Sequence, residues 1–172
     1  MLDVRPGERV LEVGFGGGGL LATLLGTGAS SVVGVDVSEA VLAGARRRFS
    51  RELRSGRLSL ALGSADQLRI ETATIDCAAS VASLYFWPDI AAALAELARV
   101  IRPGGRLVLC YEPAEELRKW PGHRFGFRLF EQEELHALLN DAGFAVGAVE
   151  AGSGRMPDRF LCLSAVRESA NG

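Results

Sequence analysis

The stretch from Val10 to Gly19 reads VLEVGFGGGG: a short apolar run, a carboxylate at Glu12, and five glycines among the six residues after Val13. Glycines in that density let main-chain amides come into contact with a ligand. Gly14, Gly16 and Gly19 also meet the G-x-G-x-x-G spacing of a nucleotide-binding turn between a strand and a helix. Asp36 ends the next apolar run, about twenty residues on, where an acid accepts both hydroxyls of a ribose. These features suit any adenosine-containing ligand. Glu12 discriminates among such ligands, because a carboxylate at the C-terminal end of the first strand repels a pyrophosphate and attracts a cation. The pattern predicts a ligand with a cationic end and a ribose.

A second set of residues has the chemistry for a reaction. Tyr85, in the run SVASLYFW (residues 80–87), either orients or deprotonates an acceptor or forms a packed wall of the pocket. His123, in WPGHRFGFR, is a candidate base flanked by Arg124 and Arg128, which suit an anionic acceptor; the alternative is a surface histidine in a turn. Glu112 and Tyr111, at the end of a later strand, are further acceptor contacts, while His136 lies within a regular helix and is assigned no role. Residues 118–128 are expected at the pocket mouth, with Trp120, Phe125 or Phe127 covered by any contact made there.

These residues must be positioned by the elements between them. Apolar runs rich in β-branched residues alternate with amphipathic segments, RVLEVG, LLATLLGTG, SVVGVDV, SEAVLAGARRRFSREL and RLSLALG, as parallel strands with crossover helices do. The first run shows no polar alternation, which fits a sheet covered on both faces. In the first long helix Val41, Leu42, Ala45, Phe49 and Leu53 form one stripe behind Ser38 as cap, and Gly56 ends it; its arginines read as a solvated face. TIDCAASVA is a fourth strand, and PDIAAALAELARVI is a helix with proline in its first turn. GGRLVLCYE is a fifth strand entered through a Pro103-Gly104-Gly105 turn. FAVGAVE and RFLCLSAVR, with too few residues between them for a crossover, form an antiparallel pair, giving about seven strands with one reversed at the edge.

The order of these motifs resembles the class I S-adenosylmethionine-dependent methyltransferases. The first motif of that family is matched by Glu12-Val13-Gly14-Phe15-Gly16-Gly17-Gly18, and VVGVDVS resembles its second strand. IDCAASVASLYFWPD resembles its fourth strand and loop, and ALAELARVIRPGGRLVL the lead into the fifth strand of the branch related to ubiquinone- and menaquinone-biosynthesis methyltransferases. The resemblance implies an α/β, Rossmann-like three-layer sandwich with a seven-stranded, mostly parallel sheet and an antiparallel last strand, one domain over residues 1–172. It implies S-adenosyl-L-methionine as cofactor and S-adenosyl-L-homocysteine as product. Glu12 would order the loop and the amino-acid end, Gly14, Gly16 and Gly18 would allow close approach, Asp36 would bind the ribose and Val37 would line the adenine. Relatives often have Gly-Asp-Ala after the third strand. Here Gly63-Ser64-Ala65 is followed by Asp66, so either Ser64 or Asp66 meets the adenine, or Asp66 is a solvated loop acid. Ala65 and Val81 complete the cofactor residues. The loop after the fourth strand lacks the N/D-P-P-Y/F motif, which argues against methylation of nucleic-acid bases. The expectation is methyl transfer to a small molecule, at oxygen or carbon before nitrogen; the alternative is a non-catalytic domain that binds S-adenosylmethionine or a nucleotide. Helices that cap the cofactor in relatives have no counterpart before the first strand. The alternatives are an open site, a site closed by a second copy in a homodimer, or a fragment.

Composition narrows the partners. A net charge of −2 offers no general attraction to nucleic acid or anionic lipid, and no apolar run has the roughly 18 residues of a spanning helix. A cytoplasmic, bacterial protein without nucleic-acid or membrane partners is expected. Cys77, Cys110 and Cys162 are isolated in apolar runs, so buried free thiols are expected, with no bridge and no metal site.

Overall fold

Strands that lack polar alternation form the middle of one sheet, and those with partly polar faces form its edges. The computed structural model describes residues 1–120, 126–152 and 160–169. The strands are β1 (Arg9–Val13), β2 (Ser31–Asp36), β3 (Leu58–Leu62), β4 (Ile75–Val81), β5 (Ile101–Tyr111), β6 (Phe144–Gly152) and β7 (Phe160–Arg167). They are ordered β3-β2-β1-β4-β5-β7-β6, parallel throughout except that β7 runs against both its neighbours. β1 and β2 are buried along almost their whole length, whereas the edge strands β3 and β6 are largely exposed. The reversed strand is therefore one place in from the edge, not at it. β6 is added outside β7, which alone gives β6 a hydrogen-bonding partner.

Helices α1 (Gly19–Leu25), α2 (Glu39–Arg48) and α3 (Ser50–Arg54) lie on one face, over β1, β2 and β3. Helices α4 (Ile90–Val100) and α6 (Gln132–Asp141), with the short α5 (Ala114–Leu117), cover the opposite face. Two cores result. The larger joins α4 and α6 to Leu11, Val33, Ala78, Leu107, Leu109, Leu163 and Ala165; the smaller joins α1 and α2 to Val10, Val32, Leu58 and Cys77. On the α1 face the smaller core stops at β4. Beyond it Val108 is buried, but Arg106, Cys110, Cys162 and Ser164 are only half-buried and Val166 is 44% exposed, with no helix over them among the described residues.

Several local expectations change. The arginine-rich helix breaks at Phe49 (φ −107°), which turns its ring toward the glycine loop. Asp89, not the proline, caps α4 by accepting the Ala92 N–H, and Pro88 lies outside the helix. Pro103-Gly104-Gly105 is a bulge within β5, where Ile75 and Cys77 of β4 pair with Ile101 and Arg106. Cys110 and Cys162 form a disulfide, contrary to the free thiols expected, while Cys77 is free and buried. The reason is register: the antiparallel pairing of β5 with β7 sets the two cysteines directly opposite, a relation that spacing along the chain does not reveal.

Arg106 ties the N-terminal segment to the sheet, beside the backbone bond from Gly7 N–H to the Gly28 carbonyl. Arg106 donates to the carbonyls of Leu2 and Asp3 and pairs with Glu8 at 2.6 Å, in an ion pair that is mostly buried. That hydrogen bond holds the Glu8 carboxyl below its ordinary value of 4.5. A depressed carboxyl contributes stability that is complete above about pH 4.5 and is lost as pH falls through the lower folded value. Arg106→Leu leaves Glu8 buried without its partner and is expected to cost about 3 kcal/mol at pH 7, read as a lower urea midpoint with an unchanged slope. The difference from the wild type should shrink below pH 4.5; an equal cost at pH 3 would show that packing, not charge, is what Arg106 supplies.

Candidate functional site

The C-terminal ends of β1, β2, β3 and β4 meet around Glu12. It lies on the α1 face of the sheet, in register with Gly34 of β2 and Ala79 of β4, and is 2% exposed. Its Oε2 atom is buried with no hydrogen-bond partner, and burial, reinforced by the neighbouring Asp36 charge, pushes its pKa up to about 8. A carboxyl group is thus kept dry beside a loop of glycines, an arrangement that costs free energy unless a cation or donor reaches it.

The loop is built around backbone contacts. Gly14 N–H donates to the Val35 carbonyl at 2.7 Å, and Phe15, its only side chain, is turned into the smaller core. A Cβ on Gly14 would meet Ser83 at 2.4 Å, and one on Gly18 would meet the Phe49 ring at 2.8 Å, so these glycines admit neighbouring protein. Gly16 is different. Its φ is +46° and no atom lies within 4 Å of where a Cβ would stand, so its space is free for a ligand. Asp36 accepts from Gly16 N–H at 2.9 Å with one carboxylate oxygen and from Ser38 N–H at 3.0 Å with the other, tying the loop to the cap of α2.

Beyond Asp36 the strand ends carry exposed apolar side chains: Val37 at 69%, Leu62 at 45% and Val81 at 45%. Ala65 is buried beside them, Asp66 is half-buried, and Ser64 keeps a buried Oγ with no partner. Three contributors escaped the sequence reading. Leu62 pairs in register with Asp36; Arg48, from the arginine run read as a solvated face, donates to the Gly17 carbonyl at 2.6 Å and lies over the Phe49 ring; Ser83 donates to the Val13 carbonyl and bonds Ser80. Strand alternation signals Leu62, but nothing in the local sequence signals the other two.

The candidate reaction residues separate. Tyr85 is 3% exposed, and its hydroxyl donates to the Glu112 carboxylate and accepts the Glu112 N–H. Burial raises the pKa of Glu112. Tyr111 instead points into the larger core, where its hydroxyl has no partner. Arg128 pairs with Glu134 at 2.7 Å. His123, Arg124 and Phe125 lie outside the described residues. Among the described residues no group of three or more His, Cys, Asp or Glu side chains gathers for a metal, and no helix is long and apolar enough to cross a membrane.

Comparison with known proteins follows this geometry. The profile of a family described as a methyltransferase domain matches residues 11–109, from β1 through the core of β5. An O-methyltransferase of Pyrenophora dematioidea is 31% identical over 153 residues, 84% of this chain and 57% of that protein. A demethylmenaquinone methyltransferase of Corynebacterium kroppenstedtii is 38% identical over 109 residues, 63% of this chain and 44% of that protein. The chain spans about half the length of the curated relatives it matches. The crystal structure of an S-adenosylmethionine-dependent methyltransferase from Mesorhizobium loti superposes with a TM-score of 0.78 at 22% identity, over 94% of this chain and 92% of that one, and shares the fold.

Glu12 gives the site a measurable signature without any ligand. Its folded pKa is raised, so the folded chain keeps a proton that the unfolded chain releases, and stability falls as pH rises from about 4.5 to about 8. Glu12→Gln should remove this contribution and leave the ligand-free variant a few kcal/mol more stable than the wild type above pH 8. Urea melts of both proteins from pH 5 to pH 9 measure it, and parallel pH profiles would contradict it.

Proposed function

The chain belongs to the methyltransferase-domain family, and on that premise we propose that it binds S-adenosylmethionine and transfers its methyl group to an oxygen of a small molecule. The buried carboxyl of Glu12, with one oxygen unpartnered at the foot of the glycine loop, carries this reading. A pyrophosphate at that position would face a second negative group in a dry site, whereas an ammonium or sulfonium supplies the charge that the carboxyl lacks. Asp36 retains lone pairs for two ribose hydroxyls beyond the two N–H groups it already accepts. Val37 and Leu62 offer an apolar seat for the adenine, and Ser64 Oγ a polar contact for its edge. The open space at Gly16 leaves room for the ligand to lie against the backbone.

When bound, S-adenosylmethionine supplies an electrophilic methyl on a positively charged sulfur. The work left to the chain is placement: a good leaving group needs the acceptor held in line, with water excluded. Val81, at the end of β4, and the loop that follows it occupy the side from which an acceptor approaches. Transfer to oxygen agrees with the O-methyltransferases among the relatives.

Calorimetry at pH 7 tests the cofactor. S-adenosylmethionine and S-adenosylhomocysteine should bind and NAD should not; tight binding of NAD alone would overturn the reading. Because the cation draws Glu12 into its charged form, binding should release up to one proton, seen as a dependence of the heat on buffer ionisation and absent in Glu12→Gln. Asp36→Ala should weaken binding by about 1.5–3 kcal/mol. It should also lower the melting temperature of the free protein, since the Gly16 and Ser38 amides lose their acceptor. Wild-type affinity in a folded Asp36→Ala variant would show that the acid points away from the ligand.

A further inference from the structure

The side of the site away from Asp36 has a composition of its own. The loop after β4 starts against the glycine strand, through Ser83 and the Val13 carbonyl, and runs into Tyr85 and Phe86. Phe127 returns to pack against this loop, with ring centroids 4.6 Å from Phe86, 5.8 Å from Tyr85 and 5.1 Å from Trp120. Arg128 N–H fixes the return by donating to the Tyr85 carbonyl. Phe86 is nevertheless 59% exposed and Trp120 47% exposed. Aromatic rings that pack on one another edge to face while leaving part of their surface in water present a face on which a further planar group can stack.

The polar groups at this wall are not neutral in their message. Arg118 pairs with Glu131 at 3.0 Å, Lys119 with Glu116 at 2.6 Å and Arg128 with Glu134 at 2.7 Å. Among the described residues, the basic side chains around the wall are each matched by a carboxylate. Among the described residues, Glu112 pairs with no cation. It is half-buried at the end of β5, bonded to the hydroxyl of the buried Tyr85, and so is oriented by a group that cannot itself reach solvent. Burial also raises the affinity of Glu112 for a proton.

Resting on the methyltransferase reading above, we propose that the acceptor is a planar aromatic compound bearing a hydroxyl, stacked on Phe86 and Phe127, with Glu112 accepting the hydroxyl proton and Tyr85 holding Glu112 in place. The step balances within these groups: the O–H bond breaks, the proton passes to the Glu112 carboxylate, and the electron pair stays on the acceptor oxygen, which becomes the nucleophile. Glu112 is then the catalytic residue and Tyr85 a positioning residue.

Binding of 4-nitrophenol to the protein saturated with S-adenosylhomocysteine, followed by its absorbance and by calorimetry, tests this. Cyclohexanol serves as a non-planar alcohol and 4-nitroanisole as a planar compound with no hydroxyl. 4-Nitrophenol should bind at least tenfold more tightly than either. Phe86→Ala and Phe127→Ala should each weaken it about tenfold, and neither should move the affinity for S-adenosylhomocysteine. Glu112→Gln should abolish the preference for 4-nitrophenol over 4-nitroanisole and leave in the pH dependence of 4-nitrophenol binding only the ionisation of 4-nitrophenol itself. Tyr85→Phe should reduce that preference in part, with the pH dependence retained. If S-adenosylhomocysteine does not bind at all, the methyltransferase reading fails. If it binds while 4-nitrophenol does not, or binds no better than cyclohexanol, or is indifferent to Phe86→Ala and Phe127→Ala, the acceptor inference fails alone.

Discussion

A carboxyl group that is dry and incompletely hydrogen-bonded is costly, and the arrangement of this protein's central strands turns on one. Glu12 sits at 2% exposure in register with Gly34 on β2 and Ala79 on β4, and the space beside Gly34 is filled by Leu60, Phe15 and Leu21, which close the smaller core there. The same crowding dictates the loop. Ser83 occupies the space that a side chain at position 14 would need, and Phe49 the space at position 18, which leaves the main chain between them open at Gly16 and Gly17, as it is again at Gly19. Asp36 then holds that stretch at a fixed distance from β2. The glycine loop and the ribose-type acid at Asp36 are thus built round one electrostatic problem, a buried acid with an unpartnered oxygen.

How much of this was legible in sequence depends on the range of the interaction. Local patterns were readable: the strand and helix periods, the glycine turn, Asp36 at a strand end, Ser38 as a cap, and the antiparallel final pair, which betrayed itself by a connection too short for a crossover. Features set by register or by side chains crossing from other elements were not. The bridge between Cys110 and Cys162 depends on which residue of β7 faces which of β5. Arg48 reaches across from the end of α2 to the Gly17 carbonyl while remaining, like Arg46 and Arg47, exposed to solvent as a charge pattern suggests. Tyr85 and Glu112 are far apart along the chain, and only the adjacency of β4 and β5 brings the phenol onto the carboxylate. Tyr111 and Glu112 looked equivalent in sequence; the pleat sends one into the core and leaves the other half-exposed.

The uneven cover of the sheet sets how it breathes. β1, β2 and β4 are sandwiched between two apolar cores, so parting them exposes both at once, and packing of that kind ties amide exchange to opening of the whole domain. β5 and β7 are backed by one core alone, and β6 has in addition a single neighbour and a largely exposed surface. The sheet is therefore graded, from strands that exchange globally at its centre to a strand that frays by itself at the β6 edge. The disulfide lies on the boundary between these regimes and ties β7 to β5, so that fluctuations of the hairpin are damped before they reach β4 and the loop that carries Tyr85.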